Sequence, residues 1–259
     1  MAKKQQKKKK KRNGSGSFWL GFLKFLGFFV LCGLLLLYWD SARLTKIISN
    51  ARPVLELTSG IDEIVRLDGR AEGIAAATDE GKLRNTYALL QKETFLWGCS
   101  KSNCDYKSSE DRRPEVSGSF MIHDVLVQAE WFRFYSDWLP LDFRTVDPSQ
   151  LSNIYEGGTT RPLLIESPKK RAYGYYAVIP GDRITVIGRA KEGRLEPFNL
   201  PGKEEHNVIL IGSSVERMLS EERKAQLGYG IVSGIVLLFL LPTIIGWVRK
   251  IVRRFQTKR

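Results

Sequence analysis

Two long apolar stretches constrain this chain more than any other feature. Phe18–Trp39 contains one charged residue, Lys24, and Leu227–Val248 contains none. Each stretch has 22 residues, which as an α-helix reach about 33 Å and so cross the roughly 30 Å hydrocarbon core of a bilayer. A buried helix of a soluble protein rarely has this length. The sequence therefore predicts two membrane-spanning helices, one near each end.

The distribution of positive charge predicts the sidedness of the chain. The formal net charge is +13, but residues 1–12 hold eight Lys or Arg and residues 249–259 hold six, with no acidic residue in either tail. The segment between the spans holds 26 basic residues against all 28 acidic ones. Because Lys and Arg beside a span stay in the cytoplasm, both termini are predicted to be cytoplasmic. Residues 40–226 are then extracytoplasmic, in a periplasm, a lumen or an intermembrane space.

The distribution of positive charge also indicates which classes of partner the chain can bind. Basic tails beside spans are expected to contact anionic lipid headgroups, and no specific nucleic-acid partner is predicted. A cleaved signal peptide is the alternative for the first span. Its apolar run is longer than a usual signal core, and no small-x-small cleavage motif follows Tyr38, so an uncleaved anchor is preferred.

The chain divides at the spans. Residues 1–17 are rich in Lys and Gln and are predicted to be a disordered cytoplasmic tail, because such a segment cannot bury a core. The spans are residues 18–39 and 227–248, and residues 249–259 form a second cytoplasmic tail. Residues 40–226 are predicted to be one β-rich domain with helical stalks.

Short strands at close intervals dominate the middle of the chain. Residues 100–119 are predicted to be an exposed hairpin loop, and residues 86–97 also allow a short helix. Pro-Gly and Lys-Glu-Gly turns between strands favour an antiparallel barrel or sandwich over alternating βαβ units. The fold class is therefore a membrane protein of the α+β type, with two helices flanking one mostly antiparallel β domain. The predicted strands are 64–70, 86–97, one or two within 120–138, 163–165, 174–179, 183–190, 194–198 and 207–211.

Helical stalks are predicted on both sides of the domain. Leu44, Ile47 and Ile48 recur at helical spacing, so the first helix is expected to continue to Pro53. Ser213–Glu216 fits a capping box that begins the helix leading into the second span.

The central segment resembles the GIDE-type family, whose best-known member is a mitochondrial E3 ubiquitin ligase with two membrane helices around a "beside a membrane" β domain. Residues 179–189, IPGDRITVIGR, followed by residues 193–198, GRLEPF, are similar to the family's late hairpin. Residues 65–71, VRLDGRA, are similar to its opening strand. The layout, in which a capped polar helix leads into the second span, also matches.

One departure limits what this resemblance implies. Ligase activity in that family comes from a C-terminal RING folded around two zinc ions, and the eleven residues after the second span contain neither Cys nor His. Without these ligands no zinc-built surface forms. The resemblance thus implies the architecture, with a sensing or scaffolding role beside a membrane.

The cysteines suggest a disulfide rather than a metal site. Cys99 and Cys104 lie in a polar segment on the predicted oxidising side, so a local disulfide is a candidate alongside two free thiols. Only His123 and His206 could join them around zinc, with no recognisable spacing. No metal or other cofactor is predicted.

Residues 130–138 carry five aromatic side chains in nine positions. On a strand Trp131, Arg133 and Tyr135 share one face, while the two phenylalanines between them take the other. The plain interpretation is a central strand covered on both faces. The alternative is an interaction patch formed by Trp131, Arg133 and Tyr135.

Gly230 and Gly234 form a Gly-x-x-x-Gly spacing in the second span, which favours close helix packing. The partner is either the first span or a second copy of the chain, as in a homodimer.

No catalytic residue is predicted. His123 and Asp124 form an adjacent base–carboxylate pair, but neighbours on a strand point to opposite faces. No Gly-x-Ser-x-Gly elbow occurs, and the glycines at 181, 188, 193 and 202 fit turns rather than a phosphate loop.

The preferred function is a membrane-anchored, non-enzymatic binding, scaffold or sensing module that presents its β domain to a protein, lipid or envelope ligand. One alternative, from the family resemblance, is a membrane component of a ubiquitin-like conjugation system acting with a separate RING protein. The other alternative is a hydrolase whose site is assembled from distant residues.

Overall fold

The computed structural model describes residues 3–57, 62–100, 103–108, 114–137, 139–142, 144–156, 163–167, 171–200 and 203–256. The chain forms two compact units. The helical unit comprises residues 1–45 and 222–259, and the β unit comprises residues 46–221.

Two long helices begin and end the described chain: α1 (Lys3–Asn50) and α2 (Val215–Gln256). Both are long and apolar enough to cross a membrane. The helix α1 ends shortly before Pro53, as the sequence predicts, but it also includes residues 3–17, where disorder was expected. Lys and Gln have favourable helix propensity, and extending an existing helix avoids the cost of nucleation.

Within the helical unit α1 and α2 run antiparallel. A Cβ atom at Gly27 would lie 3.4 Å from Leu240, and one at Gly230 would lie 3.8 Å from Tyr38. A residue later in α1 therefore contacts a residue earlier in α2. Both distances are ordinary van der Waals contacts, so the helices meet at these two points and a methyl group would fit at either glycine.

Polar side chains join the two helices at the end of α1. The Ser41 hydroxyl donates to the backbone oxygen of Glu222 at 3.0 Å and also to its carboxylate. The Gln226 amide donates to the Ser41 carbonyl at 3.2 Å and to the hydroxyl of Thr45. Ser41 is 4 % exposed and Glu222 is 2 % exposed. These hydrogen bonds satisfy buried polar groups and fix the register of the pair.

The β unit is built on one mixed sheet. Its strands are β1 (Arg52–Pro53), β2 (Glu63–Arg70), β3 (Glu72–Ala75), β4 (Leu89–Ser100), β5 (Asn103–Ser108), β6 (Glu115–Ile122), β7 (Val125–Val127), β8 (Phe132–Tyr135), β9 (Ile154–Glu156), β10 (Leu163–Ser167), β11 (Arg171–Val178), β12 (Arg183–Lys191), β13 (Arg194–Glu196), β14 (Phe198–Leu200) and β15 (Lys203–Gly212), with a 3₁₀-helix at Pro148–Asn153.

The strands pair in the order β1-β2-β12-β13-β7-β6-β4-β11-β10-β9, and β3, β5, β8, β14 and β15 pair beside this path. Most pairs among the described strands are antiparallel, but β1–β2, β7–β13 and β8–β15 are parallel.

Strands β4 and β11 separate two hydrophobic cores. Leu89 and Val178, which are paired, belong to the larger core, while Leu90 and Tyr175 face the other way and belong to the second core. Successive side chains of a strand point to opposite faces, so two apolar faces require two covering layers. A third small cluster forms around Tyr106 and the buried Ala172.

Three expectations require correction. Residues 100–119 are not a long exposed loop, because they contain β5 and the first part of β6. The segment 120–138 holds the end of β6 and two further short strands rather than one or two long ones. The strand predicted for residues 86–97 is confirmed, since most of it lies in β4, and only the alternative of a short helix is wrong.

The cap of α2 lies one residue later than expected. The Arg217 amide donates to the Ser214 hydroxyl at 3.2 Å, so Ser214 rather than Ser213 is the N-cap. The pKa of Glu216 is lowered by a hydrogen bond from its own backbone amide and by one from Ser214.

A side chain at Gly118 is expected to destabilise the fold where the two hydrophobic cores meet. It has φ +84°, and a Cβ atom there would lie 2.5 Å from the Ala88 carbonyl oxygen and 2.8 Å from Ala77. We expect Gly118→Ala to lower the free energy of unfolding by about 3 kcal/mol, from backbone strain and the clash together. Urea unfolding of the purified full chain in detergent, followed by tryptophan fluorescence, measures this change.

The matched control is Gly81→Ala. Gly81 has φ +73°, but nothing lies within 4 Å of its Cβ position, so only the strain of about 1 kcal/mol is expected. Equal effects of the two substitutions would contradict the steric argument.

Candidate functional site

A cluster of charges lies against the second core of the β unit. Asp79 follows β3, and its carboxylate contacts the ammonium groups of Lys82 at 3.0 Å and Lys92 at 3.1 Å. The Tyr175 hydroxyl donates to the same carboxylate at 2.9 Å. Both ammonium groups also lie 4.6 Å from the centre of the Tyr173 ring, within the range of a cation–π contact.

The electrostatics of the cluster favour its charged state. Burial by itself would raise the pKa of Asp79, but hydrogen bonds from Lys82, Lys92 and Tyr175 outweigh burial and lower the pKa. Burial would lower the pKa of Lys92, but its contacts with Asp79 and Glu115 raise it. The pKa of Tyr175 is raised by burial and by the neighbouring charge of Asp79, so this phenol stays protonated and keeps donating.

We interpret the charge cluster as structural. The two ammonium groups of Lys82 and Lys92 face the two carboxylates of Asp79 and Glu115, so the charges of the cluster balance. Each carboxylate oxygen of Asp79 has a partner, so the cluster presents no free group to a substrate.

Sequence reasoning did not find this charge cluster because Asp79, Lys92 and Tyr175 are far apart along the chain and share no motif. Lys92 itself lies in a polar stretch of β4, between Gln91 and Glu93, so its sequence neighbours give no signal either.

The aromatic segment 130–138 places its side chains differently from the prediction. Tyr135 is 3 % exposed and Phe132 is 1 % exposed, whereas Trp131 and Arg133 are half-buried. The Arg133 guanidinium lies 5.3 Å from the centre of the Tyr135 ring. Arg133 and Tyr135 therefore share a face as expected, but Tyr135 is buried and contributes no surface to the predicted patch.

Burial of Tyr135 follows from the parallel pairing of β8 with β15. Tyr135 is paired with Gly212, and a Cβ atom at Gly212 would lie 3.4 Å from the Tyr135 Cβ and 2.7 Å from Met218. Met218 is fully buried in the first turns of α2. Tyr135 and Met218 thus both lie against Gly212, and both are buried.

Phe134 and Tyr176 form a stacked aromatic pair next to this segment. Their ring centres are 5.0 Å apart with an angle of 6° between the planes. Burial raises the pKa of Tyr176 to about 12, with smaller contributions from Glu93, Asp137 and Glu221. The stacked rings are therefore bordered by carboxylates.

Only part of this acidic border is neutralised by neighbouring side chains. Arg217 contacts Asp137 at 3.1 Å and Glu221 at 3.2 Å. Glu93 has no ion pair among the described residues, and burial raises its pKa. An unpaired, half-buried carboxylate beside two stacked rings favours a basic or hydrogen-bond-donating group of a ligand.

A cleft of about 530 Å³ is lined in part by the residues that directly precede Trp131 in the chain. It is lined by Val116, Gln128, Ala129 and Glu130. The backbone that borders it is held by the buried Gln91, whose side-chain oxygen accepts a hydrogen bond from the Phe132 amide at 3.0 Å. We call the cleft together with Trp131, Arg133 and Phe134 the aromatic cleft.

The cysteines predicted to form a disulfide lie opposite each other. Cys99 of β4 pairs with Cys104 of β5, next to the Ser100–Asn103 pair that closes the hairpin. They are thus on paired strands rather than in a loop. Paired positions of an antiparallel ladder have Cα atoms about 4.5–5.5 Å apart, which suits a disulfide. The side chain of Cys104 lies outside the described residues, and so does that of His206.

His123 and Asp124 are turn residues, not strand neighbours. Their φ angles are +49° and +63°, and they connect the paired residues Ile122 and Val125. Two positive φ angles are typical of a two-residue type I′ turn. The His123 imidazole contacts the Asp68 carbonyl at 2.9 Å. This pair therefore shapes a hairpin, and the structure shows no contact between imidazole and carboxylate among its described hydrogen bonds.

The two glycines of the Gly-x-x-x-Gly spacing differ. Gly230 faces Tyr38 of α1, whereas nothing lies within 4 Å of a Cβ at Gly234. Gly181 and Gly193 have φ +87° and +77°, as turns require. Gly188 packs against Leu195, and Gly202 lies outside the described residues.

Comparison with known proteins identifies no relative: no family model, no curated protein and no solved structure matches the chain. The resemblance to the GIDE-type family therefore stays a prediction. Among the described residues no group of three or more His, Cys, Asp or Glu side chains could hold a metal ion.

Asp79→Asn is expected to lower the free energy of unfolding by an amount that depends on pH. The pKa of Asp79 is lowered from 3.8, so its stabilisation is complete above that value and is lost as pH falls through the lower folded pKa. We expect the substitution to cost about 2 kcal/mol at pH 7, and the difference from wild type to shrink below about pH 4. Urea unfolding of the full chain at pH 3 to 7 measures both.

Asp137→Asn is the control, because the Asp137 side chain is 94 % exposed and a surface ion pair contributes less than about 1 kcal/mol. A pH-independent effect of Asp79→Asn, or an effect no larger than the control, would contradict a stabilising role of the carboxylate.

Proposed function

We propose that the chain is a two-pass membrane protein whose β unit serves as a binding module outside the cytoplasm. The exposure of the helices carries the proposal. Only 6 % of the most apolar stretch of α1 and 11 % of that of α2 is buried, whereas the β unit has cores of its own. Buried core helices would be covered by the chain itself. Helices with exposed Leu, Phe and Ile side chains need an apolar solvent, as a bilayer provides.

Charge supports the proposed sidedness. The lysines and arginines beside the outer ends of both spans favour cytoplasmic tails. Two spans then return the chain to its starting side and leave residues 40–226 outside. On that side the pairing of Cys99 with Cys104 favours a disulfide that closes the β4–β5 hairpin.

The aromatic cleft is the surface that we propose for the ligand. It combines an open cavity, the half-buried Trp131 and Arg133, and the ring of Phe134, which stacks on Tyr176. The charge of Glu93, for which the described residues supply no ion pair, acts on that tyrosine. Aromatic and Arg side chains of this kind dominate binding energies at interfaces. A protein, lipid or envelope ligand fits this chemistry, and a basic group on the ligand would pair with Glu93.

The two alternatives lack a favouring observation. A ubiquitin-like conjugation role depends on the family resemblance alone. A hydrolase needs a nucleophile beside a base, and the His123–Asp124 turn does not supply one.

Thiol labelling from each side of sealed vesicles tests sidedness and the disulfide together. We expect an impermeant maleimide to label Cys99 and Cys104 only from the extracytoplasmic face and only after reduction, because the cysteines are bonded there. Cys32, which is free and lies in α1, should require detergent. Mass spectrometry of the labelled chain measures each site.

The control replaces Thr257 in the C-terminal tail by cysteine, which should be labelled from the cytoplasmic face. Labelling of Cys99 from that face would refute the proposed orientation. Labelling without reduction would refute the disulfide and leave the orientation intact.

Photo-crosslinking tests the aromatic cleft. A benzoylphenylalanine in place of Trp131 is expected to give a discrete crosslinked product in cells, because an aromatic photoprobe there keeps the shape of the surface. The control position is Leu151, which is 42 % exposed and lies outside the cleft. Equal products at both positions, or none at 131, would contradict ligand binding at the cleft.

A further inference from the structure

We propose that the helix pair contains a specific site for an anionic phospholipid of the cytoplasmic leaflet, held by Lys24 and Thr243. This inference rests on the proposed membrane insertion and goes beyond it, because it assigns lipid selectivity to one cleft of the helical unit.

The site is a cleft of about 510 Å³ between α1 and α2. Phe25, Phe28 and Phe29 form its α1 side, and Leu240 and Ile244 lie on its α2 side. The Phe25 and Phe29 rings meet edge-on at 4.7 Å. These side chains give the cleft an apolar lining of a size that suits part of an acyl chain.

Two polar side chains line the same cleft. Lys24 carries the one charge of the first apolar stretch. Thr243 has a buried hydroxyl oxygen with no hydrogen-bond partner among the described residues. A buried hydroxyl without a partner is costly in an apolar environment. A ligand that brings an oxygen acceptor into the cleft would satisfy it.

The antiparallel register brings these two residues together. Gly27 lies against Leu240, so Lys24, one turn earlier on α1, and Thr243, three residues later on α2, extend the same contact towards the cytoplasmic ends. The Gly27–Leu240 contact closes the cleft on the other side, because Leu240 is only 3 % exposed.

The depth of Lys24 fits the cytoplasmic leaflet. It lies six residues inside the predicted start of the span at Phe18, about 9 Å along the helix axis. A lysine at this depth extends its ammonium towards the headgroups. The basic tails beside both spans also raise the local concentration of anionic lipid.

Charge complementarity therefore selects the occupant. An ammonium group and a buried hydroxyl without a partner among the described residues, both on the lining of an apolar cleft, match the phosphate and ester oxygens of a lipid whose acyl chain fills the cleft. A neutral or zwitterionic lipid fills the apolar part equally well but offers Lys24 no net negative charge. The site should prefer phosphatidylglycerol over phosphatidylcholine with the same acyl chains.

Native mass spectrometry of the full chain, released from detergent with each of these two lipids, tests the preference. Wild type is expected to retain phosphatidylglycerol more strongly. Lys24→Met keeps the length of the side chain and removes its charge, so it should weaken phosphatidylglycerol binding about fivefold. Thr243→Val should weaken it about threefold. Neither substitution should alter phosphatidylcholine binding.

Arg249→Met is the matched control, because it removes an exposed positive charge at the end of α2 outside the cleft. A loss equal to that of Lys24→Met would show general attraction to basic residues and overturn the site. Equal retention of both lipids by wild type would also overturn it.

Thiol labelling of the same variants in vesicles separates this inference from the proposed function. Correctly inserted protein without lipid preference refutes the lipid site alone. Protein that fails to insert refutes the membrane proposal itself.

Discussion

The apolar surface of α1 and α2 is the constraint on which the rest of this structure depends. The helices satisfy their own backbone hydrogen bonds but cover little of each other's side chains, so the bilayer that we propose would supply the apolar environment that these side chains favour. Between two such helices apolar contact gives no preference for a partner, because lipid is equally apolar. Specific pairing comes instead from the hydrogen bonds of Ser41 with Glu222.

Charge has different tasks in the two units. In the β unit Asp79 binds two lysines and a tyrosine, and each group offsets the cost of burying the other. At the aromatic cleft the balance is incomplete, since Glu93 has no ion pair within the described chain. In the helical unit Lys24 lies in an otherwise uncharged stretch. Paired charges stabilise a fold, and charged groups for which the described residues show no ion pair are candidates for ligand binding, so the functional proposals involve Glu93 and Lys24.

The β unit shows how much a local pattern can predict about a strand. Alternation in β2, with Val65 and Leu67 fully buried, was sufficient to place it. The segment 100–119 was assigned to a loop because it is polar. It nonetheless contains β5 and part of β6, since the ladder with β4 satisfies its backbone whatever its side chains are. Polarity predicts exposure of side chains, and exposed strands are still strands.

The sequence by itself determined the two apolar helices, the asymmetry of charge around them, and a mostly antiparallel β segment between them, because length, charge and alternation are local properties of the chain. Tertiary structure decided which side chains meet. It buried Tyr135 beside Gly212, placed Cys99 opposite Cys104, joined Asp79 to Lys92, and brought Thr243 to the cleft that Lys24 lines. Each of these contacts joins residues that are distant along the chain or set by a strand register. No periodicity in the sequence predicts these contacts. The free energy that favours one pairing over another arises only when both partners are packed together.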